Sequence, residues 1–128
     1  MKKVSEILEN ENLKMRIENG ETVVLNFKKH YDVIKFATLK NRAVRCDRKT
    51  KFGNPYYMKN ESERLTVVRN FWLDIKNGKS HLTENDFREL IGKSLVCWCS
   101  PLRCHCDALK FVADKLHNGT SLNEIRNM

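Results

Sequence analysis

The sequence predicts a small, single-domain α/β protein spanning residues 1–128, with a short central sheet flanked by helices and a hairpin at the N-terminus. Three observations predict it. Stretches with apolar residues at helical spacing alternate with short β-branched runs. One of those runs, Ser94-Leu95-Val96-Cys97-Trp98-Cys99, is apolar throughout, as in a strand covered on both faces. No repeat, low-complexity tract or Pro/Gly/Ser-rich linker divides the chain.

In chain order, Ser5 to Asn10 suits a short helix. Leu13 to Ile17 then alternates apolar with polar residues, and Asn19-Gly20 separates it from a second apolar run, Thr22 to Phe27. Asn-Gly between two such runs favours a tight hairpin, the basis for reading residues 1–40 as an N-terminal extension. Val33, Ile34 and Ala37 place a helix over Tyr31 to Leu39, and Ala43 to Asp47 reads as a strand. Asn60 is a candidate N-cap for a helix whose stripe is Leu65, Val68, Trp72 and Ile75, ended by Asn77-Gly78.

Thr83-Glu84-Asn85-Asp86 resembles a capping box opening a short helix that Gly92 closes. Pro101 ends the apolar strand. A helix from about Cys104 to Asn118-Gly119 follows, burying Leu109, Val112, Ala113 and Leu116, and Ser121 caps a tail helix within residues 120–128.

Twenty-four Lys and Arg against sixteen Asp and Glu give a net charge of +8, which favours phosphate-bearing partners. No apolar run reaches the ~20 residues a bilayer-spanning helix needs, and no signal-peptide core follows the start, so a cytoplasmic protein with no membrane partner is expected. The five cysteines are an odd number, and four of them lie between Cys97 and Cys106. That pattern argues for free or metal-bound thiols over a disulfide framework.

Two segments carry chemistry. In the loop 48–54, Arg48 and Lys51 offer cations, Gly53 offers backbone amides and Asn54 a side-chain amide, all suited to phosphate oxygens; Arg64, a turn into the next helix, either joins them or pairs with Glu61. The loop has neither P-loop nor dinucleotide spacing. The second segment, Cys97 to Asp107, packs four cysteines and a histidine into a strand-turn-helix. One reading is a zinc site on Cys97, Cys99, Cys104 and His105. The other is catalytic: Cys104 or Cys106 at a helix start as a thiolate, with His105 and Asp107 for proton transfer or hydrogen bonding. Against both stands plain burial, the usual fate of free cysteines. Trp72 reads as core, Trp98 as packed beneath the last helix, and Tyr56 and Tyr57 as bordering a site. If both strands end where expected, the two segments meet at the carboxyl edge of the sheet, where ligands of such folds bind.

Cys46-Asp47-Arg48 through Phe52-Gly53-Asn54-Pro55, then Glu63-Arg64, then Leu90 through Cys97-Trp98-Cys99-Ser100-Pro101-Leu102-Arg103-Cys104-His105 resemble the family catalogued as domain of unknown function 4326, found in phages and bacteria. The resemblance covers about residues 43–117. It implies that Arg48, Gly53, Asn54, Pro55, Arg64, Cys97, Cys99, Cys104, His105 and Asp107 form one constellation, and it supplies no activity. Where that family commonly has Cys-His-Gly-Asp, this chain has Cys104-His105-Cys106-Asp107.

Two functions follow as expectations. The first is a phage-type accessory protein of the host cytoplasm that binds or acts on a nucleotide or nucleic acid through the basic loop and the Cys/His motif. The second is a non-enzymatic module for nucleic acid or a host protein, with the Cys/His cluster as a structural or zinc staple.

Overall fold

The computed structural model describes residues 3–98 and 104–128. Helix α1 (Val4–Glu18) leads into strand β1 (Val23–Asn26), helix α2 (Tyr31–Leu39) and strand β2 (Ala43–Arg45). After a long loop and a 3-10 turn (Glu61–Glu63) come α3 (Arg64–Lys76), α4 (Glu84–Arg88), β3 (Ser94–Cys97), α5 (His105–His117) and α6 (Leu122–Arg126). The three strands form one parallel sheet in the order β1-β3-β2, with Leu95 of β3 opposite Val24 on one side and Val44 on the other. The α/β expectation therefore holds. β3 is the central strand and is buried along its whole length, which is why its sequence does not alternate.

Alternation along the edge strands divides the core. Val23, Leu25 and Ala43 pack with Leu13, Ile17, Val33 and Ala37 of α1 and α2. Val24 and Val44 face the larger cluster, which includes Phe71 and Ile75 of α3, Phe87 of α4, Leu109, Val112 and Leu116 of α5, and Ile125 of α6. The helices lie in two layers, one on each face of the sheet.

The N-terminal hairpin is not formed. Residues 13–17 belong to α1, and Leu13 and Ile17 are buried one helical turn apart. Gly20, at φ +82, lets the chain leave the helix. β1 then pairs in parallel with β3, seventy residues on, and not with its sequence neighbour. The hairpin expectation failed because five residues of alternation fit either period, and packing against β1 and α2 chose the helix.

The three expected helix caps are present. Asn60 accepts the Ser62 N–H, Thr83 and Asp86 form a reciprocal capping box, and Ser121 accepts the Glu124 N–H. Two aromatics sit differently from expectation. On α3 the buried aromatic is Phe71, while Trp72 is only partly buried, edge-on to Phe111, and Leu65 is exposed. Trp98 is 56% exposed and lies against Phe27, with ring centroids 4.5 Å apart. No helix among the described residues is long and apolar enough to cross a membrane.

Candidate functional site

β2 and β3 run side by side, so both deliver their next residues to the same edge of the sheet. There Cys46, Asp47 and Arg48 leave β2, Trp98 leaves β3, and α5 begins at Cys104 and His105. Together with Asn54, Tyr56, Tyr57, Arg64 and Val68 they wall a cavity of about 280 Å³. The two segments singled out in the sequence thus share one pocket, although residues 48 and 104 are far apart in the chain.

The loop after β2 is wound tightly by its own polar groups. Thr50 Oγ1 donates to the Arg45 carbonyl at 2.9 Å, and the Gly53 N–H donates to the Thr50 carbonyl at 3.1 Å. This presses Gly53 onto Asp47 and Arg48 so closely that a Cβ would stand 2.7 Å from Arg48 Cα. Gly53 is needed for close packing and does not line the cavity. Asn54 lines the cavity with its amide already engaged: Nδ2 donates to the Val67 carbonyl at 3.1 Å and Oδ1 accepts the Tyr56 N–H at 3.0 Å. It ties the loop to α3 and orients Tyr56, whose hydroxyl donates to Asp74 at 2.7 Å.

Arg48 extends over the Tyr57 ring, 4.8 Å from its centroid, and makes no ion pair among the described residues. Arg64 lines the cavity and grips Glu61 with two 2.7 Å bonds, holding that carboxyl below its usual pKa. Lys51 does not reach the cavity. It pairs with Asp86 at 2.8 Å and Glu89 at 3.2 Å, and these bonds hold its ammonium above the usual lysine range. The carboxylates of Asp86 in α4 and Glu89 just beyond it account for this displacement.

His105 is buried. Its Nε2 lies 2.8 Å from the Cys46 carbonyl and 2.9 Å from the Phe52 carbonyl. Only an Nε2–H satisfies two acceptors, so the neutral ring carries its proton there and presents Nδ1 as an acceptor 3.5 Å from Cys104 Sγ. Burial pushes its pKa down. The imidazole bolts α5 to the loop, with Phe71 edge-on at 5.2 Å. Asp107, expected to transfer protons, accepts the Cys104 N–H at 3.2 Å, does not line the cavity, and acts as a helix cap.

Of the expected zinc ligands, Cys99 lies outside the described residues, and His105 has its Nε2 turned to two carbonyls. The thiols that converge among the described residues are Cys97, Cys104 and Cys106. The neighbouring thiols, Cys104 first, together with burial, push the Cys106 thiol well above its ordinary value.

The sequence gives Asp47 no role of its own. Asp47 Oδ2 pairs with Arg45, while Oδ1 is buried in the cavity wall region without a hydrogen-bond partner. The signal that locates it is its position directly beyond a parallel strand.

Residues 21–115, well over half of the chain, match the family model described as Domain of unknown function (DUF4326). The matched region takes in β1 and α2, upstream of the motifs that carry the resemblance. No curated protein and no solved structure matches the chain.

Proposed function

The chain belongs to this family, and we propose that its cavity binds one nucleotide unit, free or as part of a strand. The observation that carries the reading is the shared pocket: aromatic faces and arginines from two separate segments border one opening at the carboxyl edge of a parallel sheet. Tyr57 and Trp98, both largely exposed, offer ring faces for a base. Arg48 and Arg64 suit a phosphate, and the Arg64–Glu61 pair is exposed enough on the Glu61 side to exchange for it at little cost. Asp47 Oδ1 is an acceptor for a base N–H or a ribose hydroxyl. A cavity of about 280 Å³ lies near the lower bound of small-molecule sites, which suits a single nucleotide better than a dinucleotide cofactor. The basic excess of +8 would bring such anions to the surface.

The test is thermal unfolding with each ribo- and deoxyribonucleoside monophosphate and with short single-stranded oligonucleotides. At about 100 times Kd a ligand adds roughly 2.7 kcal/mol to stability, a shift of about 10 °C for a domain of this size. Arg48→Ala and Trp98→Ala should each reduce the shift. If no nucleotide or oligonucleotide raises the melting temperature at millimolar concentration, the reading is wrong.

A further inference from the structure

One wall of the cavity holds a group of side chains that nucleotide binding does not use. The Sγ atoms of Cys97, Cys104 and Cys106 lie within 4.8 Å of one another, and all three residues are buried. Cys46 stands beside them: the parallel register that pairs Arg45 with Val96 leads directly to Cys46 and Cys97, and Cys46, Cys97 and Cys104 wall the same cavity. Four cysteines therefore come together from three places: the residue after β2, the last residue of β3, and the cap and second residue of α5.

We infer that Cys46, Cys97, Cys104 and Cys106 bind one Zn²⁺ ion, which clamps the carboxyl ends of β2 and β3 to the start of α5. Sulfurs of a tetrahedral site with Zn–S bonds of ~2.3 Å stand about 3.8 Å apart. For the three mutually placed thiols, closing from at most 4.8 Å asks for movements of about 1 Å or less. Thiols are weak hydrogen-bonding partners, so core packing alone gives no reason for three of them to converge sulfur to sulfur with a fourth cysteine alongside. The surroundings suit the negative charge that four thiolates would leave around the ion. Cys104 caps the thirteen-residue helix α5, whose first-turn N–H groups and dipole favour anions. Arg48 and Arg64 line the cavity that Cys46, Cys97 and Cys104 also line.

With four protein ligands the site is closed, the arrangement of a structural and not a catalytic zinc. Each thiol releases its proton to solvent on binding, so affinity falls as pH falls. The ligand set differs from the Cys97, Cys99, Cys104 and His105 set suggested by spacing, because it recruits Cys46 from half a chain away. The inference does not depend on what the cavity binds.

Co²⁺, a spectroscopic substitute for Zn²⁺, tests it. The full chain, kept reduced and stripped with chelator, should develop a sulfur-to-cobalt charge-transfer absorption that saturates at one ion per chain with an intensity corresponding to four thiolates. One equivalent of Zn²⁺ should abolish it. Cys46→Ser and Cys106→Ser should each weaken Co²⁺ binding by at least about tenfold, since even losing an outer-shell partner costs that much. Absence of the band in a chain whose thiols are shown to be reduced would overturn the site, as would a band indifferent to both substitutions. If a serine variant fails to fold, the thiolate count from the unsubstituted chain decides: fewer than four thiolates per cobalt refutes the inference. Iron in place of zinc in freshly purified protein refutes the choice of ion.

Discussion

Replacing Gly53 by alanine tests whether the loop after β2 is a built part of the site or a solvated basic turn. The added Cβ would stand 2.7 Å from Arg48 Cα and 2.8 Å from the Asp47 carbonyl carbon, and closer still to the Asp47 carbonyl oxygen. Ordinary carbon contacts are ~3.5–4.0 Å. All three atoms are backbone, so no side chain can rotate away, and the turn must open by about 1 Å. The Gly53 N–H bond to Thr50 and the Thr50 Oγ1 bond to Arg45 close that turn, and they cannot both follow.

Overpacking of this kind costs about 1–3 kcal/mol, and a lost hydrogen bond adds about 1 kcal/mol. A total near 3 kcal/mol lowers the melting temperature by roughly 10 °C in a domain of this size. Gly20→Ala is the comparison. It has no atom within 4 Å of the new Cβ, so it meets only the left-handed backbone penalty of about 1–2 kcal/mol, or roughly 4–8 °C. Thermal unfolding followed by far-UV circular dichroism reads both variants. Because Arg48 Cα is one of the displaced atoms, Gly53→Ala should also lose most nucleotide binding, whereas Gly20→Ala should retain it. A Gly53→Ala chain that melts within 2 °C of the parent would refute the packing argument.

Three further outcomes are expected. His105→Ala leaves the buried carbonyls of Cys46 and Phe52 without a donor, and should destabilise the chain by about 3 kcal/mol in urea unfolding; His105→Gln, which restores one N–H donor, should recover part of it. Arg48→Lys keeps the charge but gives up the planar group stacked over Tyr57, so it should bind nucleotide more weakly than the parent by calorimetry while melting at the same temperature. Asp86 has its pKa held down, first by Lys51 and then by the Thr83 N–H, so its contribution is present above the usual aspartate range and is lost as pH falls through and below it. Asp86→Asn should accordingly flatten the stability profile below about pH 4 and leave the slope near neutrality unchanged.

Much of the fold is legible because its signals are local. Asn60, Thr83 and Ser121 mark helix starts through bonds to residues two or three positions on, which spacing alone identifies. Ser94 to Cys97 reads as a covered strand because residue type reports burial on both faces. Arg48, Asn54, Arg64, Cys104 and His105 could be assembled as one site because each lies just beyond a strand or in the loop and helix that follow it. Where the sequence misled, two local readings were equally good. Leu13 to Ile17 satisfies both periods, and its partners on β1 and α2 determined which one prevails.

The roles within the site were not legible, because they depend on distances between segments remote in the chain. Lys51 and Arg48 are both loop cations; whether each is neutralised depends on where α4 places Asp86 and Glu89. Asn54 looks like a ligand-binding amide until Val67 and Tyr56 are seen to occupy it. Cys46 looks like an isolated core residue until parallel pairing of β2 with β3 brings it beside Cys97 and onto the cavity that Cys104 also lines. Residue chemistry and short-range periodicity thus prescribe a basic α/β domain with cations, aromatics and thiols at its strand ends. Which of those groups face the cavity, which neutralise one another and which converge sulfur to sulfur follows from long-range packing, since side-chain bonds act over a few ångströms and chain order does not encode that proximity.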